Sequence, residues 1–117
     1  MRKILFKDNK HKIIYKTLMN RLPKTNQENR KMKSIMYLIA WVESDHKSVA
    51  DQIFDFETLS INPYIYIADW QTEMTQNAIW LAHNIKINCY DCILNILEAS
   101  DWNKYFFEAV RIGYENI

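Results

Sequence analysis

A single glycine, Gly113, and two prolines, Pro23 and Pro63, serve a chain of 117 residues. Average usage of about 12% for these two types together would supply roughly fourteen. Sandwiches and barrels turn about every 8–12 residues, and most such turns are built on glycine or proline. So few of both leaves helices joined by Asn, Asp and Ser. The same scarcity excludes phosphate-cradling loops and dinucleotide fingerprints, which need several glycines at fixed spacing. Hydrophobic residues at 49% and charged residues at 25% fit an ordinary globular core. The expectation is an all-α chain forming one domain of five to six short helices over residues 1–117.

Periodicity places those helices. Asp8 is suited to cap a first helix, in which His11, Tyr15, Leu18 and Leu22 recur on one face before Pro23 ends it. Thr25 or Asn26 is expected to cap the next helix, about 27–43, the most apolar of the chain. Its stripe is Met32, Ile35, Met36, Ile39 and Val42 or Glu43. Leu38 and Trp41 fall off that stripe, which implies neighbours on more than one side. Ser44 or Asp45 offers a cap for a short helix carrying Val49, Ile53 and Phe54. The stretch Tyr64-Ile65-Tyr66-Ile67 alternates like a strand, but Asn62-Pro63 reads as a cap and first turn. A helical turn is preferred there, because a lone strand has no ladder partner. Thr72 or Thr75 starts a helix with Met74, Ala78, Leu81, Ala82 and Ile85 at core spacing. A further helix holds Ile93, Leu94, Ile96 and Leu97. Ser100 or Asp101 is expected to cap the last one, which presents Trp102, Phe106, Ala109, Val110 and Ile112, with Gly113 as a left-handed C-cap.

Net charge is only +1, yet it is unevenly spread. Residues 1–33 carry eleven Lys/Arg against Asp8 and Glu28, a net of +9; the remainder carries four against twelve, a net of −8. The basic third either folds back on the acidic remainder or meets an outside partner. Lys7, Lys10, Lys12, Lys16 and Arg21 are the residues to contact phosphates if that partner is a nucleic acid. The longest near-apolar run, Ile35 to Val42, is far short of the roughly 20 residues a bilayer requires. The apolar stretch after the basic opening is too short for a signal peptide. Two cysteines cannot build a disulfide framework, so a cytoplasmic setting without membrane contact is expected.

Little in the chain announces catalysis. Cys89-Tyr90-Asp91-Cys92 has the CxxC spacing, but a redox site needs a strand before it and zinc needs a second pair, so both read as structural thiols. Glu43-x-x-His46 is half of a di-iron carboxylate motif whose second copy is missing. His11, on an apolar stripe, reads as a hydrogen-bonded core histidine. No catalytic residue, metal set or cofactor is assigned. Aromatic residues are the stronger signal: four Trp, seven Tyr and five Phe. Trp41 and Trp102 are expected in the core and Trp80 at the surface. Tyr64, Tyr66 and Trp70 are candidates for recognition, since rings give large contact area at low entropic cost.

Several strings resemble a small bacterial family. They are His11-Lys12-x-x-Tyr15, Tyr37-Leu38-Ile39, Ile53-Phe54-Asp55-Phe56-Glu57, Trp70-Gln71-Thr72, Leu81-Ala82-His83-Asn84 and Tyr105-Phe106-Phe107-Glu108-Ala109. In this order they are similar to the domain-of-unknown-function 6075 proteins. That resemblance implies a compact helical domain from low-GC Gram-positive bacteria and their mobile elements, and implies no catalytic residue. Within it, Thr72 would cap a helix, Gln71 bridge a loop and Trp70 anchor that loop. The function expected is that of a non-enzymatic accessory protein acting by protein–protein contact, its sharpest version a phage or mobile-element inhibitor of a host defence protein. The face would be acidic and aromatic, drawn from Asp55, Glu57, Tyr64, Tyr66, Asp69, Trp70, Gln71, Thr72 and Trp80. A second copy of the chain is an alternative partner, and a nucleic-acid regulator using the basic third is the alternative function.

Overall fold

The computed structural model describes residues 3–115; Met1 and Arg2, which begin the basic opening, lie outside the described residues. The helices are α1 (Asn9–Arg21), α2 (Lys24–Gln27), α3 (Arg30–Glu43), α4 (Ala50–Ile53), α5 (Glu73–Ile87), α6 (Tyr90–Ala99) and α7 (Lys104–Tyr114). A hairpin of β1 (Phe54–Asp55) and β2 (Ser60–Ile61) and a 3-10 turn (Ile65–Ile67) stand between α4 and α5. The all-α expectation therefore holds with one short hairpin added. The helices number seven among the described residues because the single turn α2 stands apart from α3.

Each long helix starts where a polar side chain takes up a free amide. Asp8 accepts from the His11 amide at 2.8 Å, and α1 buries His11, Tyr15 and Leu18 on its inner face, continued by Leu22 just beyond its end. Asn29, rather than Thr25 or Asn26, caps α3 by accepting from Met32 at 3.0 Å. From Ser34 to Val42 every residue of α3 is buried, and the helix packs against α1, α5 and α7. Such all-round burial explains why Leu38 and Trp41 fall off one stripe. Val49 precedes α4 in place of Ser44 or Asp45.

Four further expectations fail here. The helical turn expected at Tyr64–Ile67 is present as the 3-10 turn, but Phe54, expected on the short helix, instead opens a strand pair, with Phe54 opposite Ile61 and Asp55 opposite Ser60. Gly113 lies inside α7 and its φ is not positive, so it is no left-handed cap. A Cβ there would meet Ile85 Cγ2 at 3.3 Å and Ser34 Cβ at 3.4 Å, so glycine lets α7 cross α3 and α5 closely. Trp102 is 51% exposed rather than core. Asn103 caps α7 instead of Ser100 or Asp101, and α6 ends in a Schellman turn. There Trp102 N–H bonds the Leu97 carbonyl at 2.8 Å and Asp101 N–H the Glu98 carbonyl at 3.1 Å.

Candidate partner-binding face

The hairpin and the 3-10 turn put most of the expected contact residues on one side of the molecule. Asp55 ends β1, and its carboxylate accepts from the amides of Glu57 (2.8 Å) and Thr58 (3.3 Å). Those two amides hold its pKa below the usual carboxylate value, so this corner stays anionic. Glu57 is exposed on the hairpin loop beside it. Asp51 of α4 faces them across a groove of about 560 Å³. Arg21 also reaches this groove: it pairs with Asp51 at 2.5 Å, and its guanidinium lies 3.8 Å from the Phe56 ring centroid.

Ile61 and Pro63 form one wall of that groove and also one wall of a neighbouring cleft of about 360 Å³. Tyr66, Trp80 and His83 complete the second cleft, with the Tyr66 and Trp80 rings 5.5 Å apart. Burial pushes the Tyr66 phenol up to about 12, so it remains a neutral hydroxyl. Tyr64 is 74% exposed and Ile67 is 81% exposed on the turn above. Trp80 is exposed, as its spacing implied.

The Trp-Gln-Thr string supports this face from behind. Trp70 Nε1 donates to Gln52 Oε1 at 2.9 Å, and its ring lies 5.2 Å from that of His46. Gln71 donates to the Ile65 carbonyl at 3.1 Å and accepts from Thr75 Oγ1 at 2.5 Å. Thr72 caps α5: its hydroxyl accepts from the Thr75 amide at 3.1 Å while Thr75 Oγ1 accepts from the Thr72 amide at 2.8 Å. Both are half-buried clasps: Trp70 ties the segment after the 3-10 turn to α4 and to His46, and Gln71 fixes the turn itself to α5. Asp69 is exposed beside them. Asp55, Glu57, Tyr64, Tyr66 and Trp80 remain as the residues that shape the outward surface.

The basic third is partly neutralised. Lys7 pairs with Asp45 at 2.9 Å and is largely covered, while Arg21 stays exposed but pairs with Asp51. Lys10, Lys12 and Lys16 do stand exposed on α1. His11 is fully buried. Glu43 accepts from the Ala50 amide at 2.8 Å, a structural role for the acid of the half motif. Among the described residues no group of three or more His, Cys, Asp or Glu stands ready to hold a metal ion. Among them, too, no helix is long and apolar enough to cross a membrane. Cys89 and Cys92 are joined in a disulfide across the first turn of α6, so they are not the free thiols expected.

Ile67 and Phe56 are not among the contact residues expected from sequence, and neither is an exposed set on α6 and α7: Tyr90, Leu94, Trp102 and Phe107. For Leu94 the sequence does carry a signal: four of the five positions 93–97 are apolar, more than one buried stripe can absorb.

Fold and site define a mostly helical small protein whose distinctive surface is an acidic and aromatic hairpin face. The chain belongs to a family of unknown function (DUF6075), whose model matches residues 1–117. No curated protein and no solved structure matches it.

Proposed function

We propose that this protein is a non-enzymatic accessory protein that docks on a basic surface of another protein through its hairpin face. The observation that carries this reading is the shared wall of Ile61 and Pro63. It makes the Asp51–Asp55–Glu57 groove and the Tyr66–Trp80 cleft one continuous surface. Carboxylates accelerate encounter with a cationic partner, and rings that desolvate on contact slow its departure. Non-enzymatic action is favoured because burial keeps the Tyr66 phenol of this face neutral, while His11, Tyr15 and Tyr37, which burial also shifts, are sealed in the interior.

The test is affinity capture from the native host with three baits: wild type, Asp55→Asn/Glu57→Gln, and Tyr64→Ala/Trp80→Ala. A partner with a basic contact surface should bind wild type, associate more slowly with the charge variant, and dissociate faster from the aromatic variant. Equal capture by all three sinks the reading. The narrower version, in which the partner is a host defence nuclease, predicts loss of nuclease activity in the captured complex.

A second reading keeps one supporting observation, the exposed lysines of α1: Lys12 and Lys16 on one face and Lys10 on another. It predicts gel shifts of duplex or single-stranded DNA at low salt that fade steeply as salt rises. No shift at low salt removes it.

A further inference from the structure

A second surface lies between α6 and α7, away from the hairpin face. Although these helices are adjacent in the chain, α6 packs mainly on α5 and α7 mainly on α3. They diverge from their connecting turn and leave an apolar groove of about 390 Å³. Tyr90, Leu94 and Leu97 wall it from α6 at i, i+4, i+7; Phe107, Val110 and Tyr114 wall it from α7 at i, i+3, i+7. Both walls therefore present ridges at helical spacing, the arrangement into which a third helix packs. Trp102 closes the end of the groove. Its backbone is held in the left-handed region, φ 52°, which is rare for so bulky a side chain, and the Schellman turn places it against Leu97.

The rims differ in charge. Asp91 and Glu98, seven residues apart, share the outer edge of α6, and Asp101 continues it; all three are exposed. On the α7 rim Arg111 is satisfied by Glu108 and Glu115, while Lys104 lies 5.3 Å from the Tyr105 ring centroid. One rim is thus anionic and the other close to balanced. We infer that this groove binds an amphipathic helix of another protein, apolar on one face and lysine- or arginine-rich on the flank that meets α6. A second copy of this chain is a poor occupant: its most basic helix, α1, exposes only Ile13 among large apolar side chains.

The inference does not rest on the hairpin face, and its test keeps the two apart. The probe is a fluorescein-labelled 18-residue helical peptide with leucines on one face and lysines on its flanks. Two comparison peptides carry glutamate in place of lysine, or the same composition scrambled. Binding to the full chain is followed by anisotropy. The lysine peptide should bind at least about tenfold tighter than either comparison, a difference of 1.4 kcal/mol. Leu94→Asp and Phe107→Asp should each remove about that factor, since an anchor in a desolvated groove carries much of the affinity. Asp91→Asn/Glu98→Gln should weaken binding and flatten its salt dependence, whereas Tyr64→Ala/Trp80→Ala should leave it unchanged. Leu94 and Phe107 are both more than half exposed, so the variants should keep the wild-type circular dichroism spectrum. Should one fail to fold, the other carries the test. Equal binding of the scrambled peptide, or no loss in either aspartate variant, overturns the inference. So does a concentration-dependent dimer that Phe107→Asp dissolves, which would make a second copy the occupant.

Discussion

The imidazole of His11 and the backbone carbonyl of Tyr37 lie 3.0 Å apart in the interior, with His11 fully buried. On the other side of the ring, Nδ1 accepts from the Lys7 amide at 3.1 Å. A backbone amide can only donate, so Nδ1 carries no proton and Nε2–H donates to Tyr37. The histidine is therefore neutral, with both nitrogens satisfied, and it packs against the rings of Phe6 and Tyr37.

That arrangement sets a pH dependence. Burial lowers the His11 pKa from its ordinary 6.5, with the Lys7 charge acting the same way and the Tyr37 hydrogen bond opposing them. Below about pH 6.5 the unfolded chain takes up a proton that the native state resists. Stability should therefore be full above that value and fall as pH drops through it, by at most about 1.4 kcal/mol per pH unit for one proton. Urea midpoints between pH 7.5 and 5.5 measure this. His11→Gln should cost about 1–3 kcal/mol at neutral pH by leaving a buried partner unmet. It should also remove this component of the slope, and an unchanged slope would assign it elsewhere.

Gly113 gives a second prediction. Alanine inside a helix is worth up to about 1 kcal/mol over glycine in propensity, and less at the penultimate position of α7 where Gly113 sits. Against that gain stands the contact with Ile85 Cγ2 at 3.3 Å. Gly113→Ala should stay within about 1 kcal/mol of wild type. Gly113→Val, which adds branches where α7 meets Ser34 and Ile85, should lose about 1–3 kcal/mol by overpacking. Thermal unfolding decides; a valine variant as stable as wild type would mean the helices do not need this close approach.

What was legible in the sequence was whatever one helix settles alone. His11, Tyr15, Leu18 and Leu22 form a stripe, and they are buried together. Thr72 read as a cap, and it accepts from the third amide beyond it. Trp80, between the core positions Ala78 and Leu81, read as exposed. What escaped depends on other elements. The role of Gly113 is set by Ser34 and Ile85, far away in the chain. Trp102 was misplaced because Ser100, Asp101 and Asn103 are all plausible caps, and only the Schellman hydrogen bonds choose among them. The α6–α7 groove exists because the two helices lean on different neighbours, which no local pattern encodes. Asp55, Glu57, Tyr66 and Trp80 were readable as types, but their adjacency depends on a hairpin with only two paired residues per strand.

The Cys89–Cys92 disulfide closes a short loop at the start of α6. Chain-entropy arguments put its contribution at about 2 kcal/mol for so small a ring. Adding dithiothreitol to the wild type, or making Cys89→Ser/Cys92→Ser, should lower stability by that order. Amide exchange should quicken in the first turn of α6 more than in α3. If reductant leaves both the urea midpoint and exchange at Ile93 untouched, the crosslink contributes nothing to folding.

Residues 3–7 run ahead of α1, and Leu5 is held there from two sides. Its amide donates to Glu108 Oε2 at 2.6 Å, and its carbonyl accepts from the Tyr37 hydroxyl at 2.5 Å. Glu108 is itself buried and gripped by Arg111 through Nε at 2.5 Å and Nη2 at 2.8 Å. Glu108→Gln exchanges a charged acceptor for a neutral one and should cost about 1.5–3 kcal/mol, while Tyr37→Phe removes one neutral hydrogen bond at about 1 kcal/mol. Because both act on Leu5, freeing one side weakens what the other can hold. The double variant should therefore lose less than the two single losses together. Hydrogen exchange at Leu5 and Phe6 should accelerate in either single variant well before global unfolding. Full additivity, with those amides still protected, would show that the segment is anchored by its apolar contacts instead.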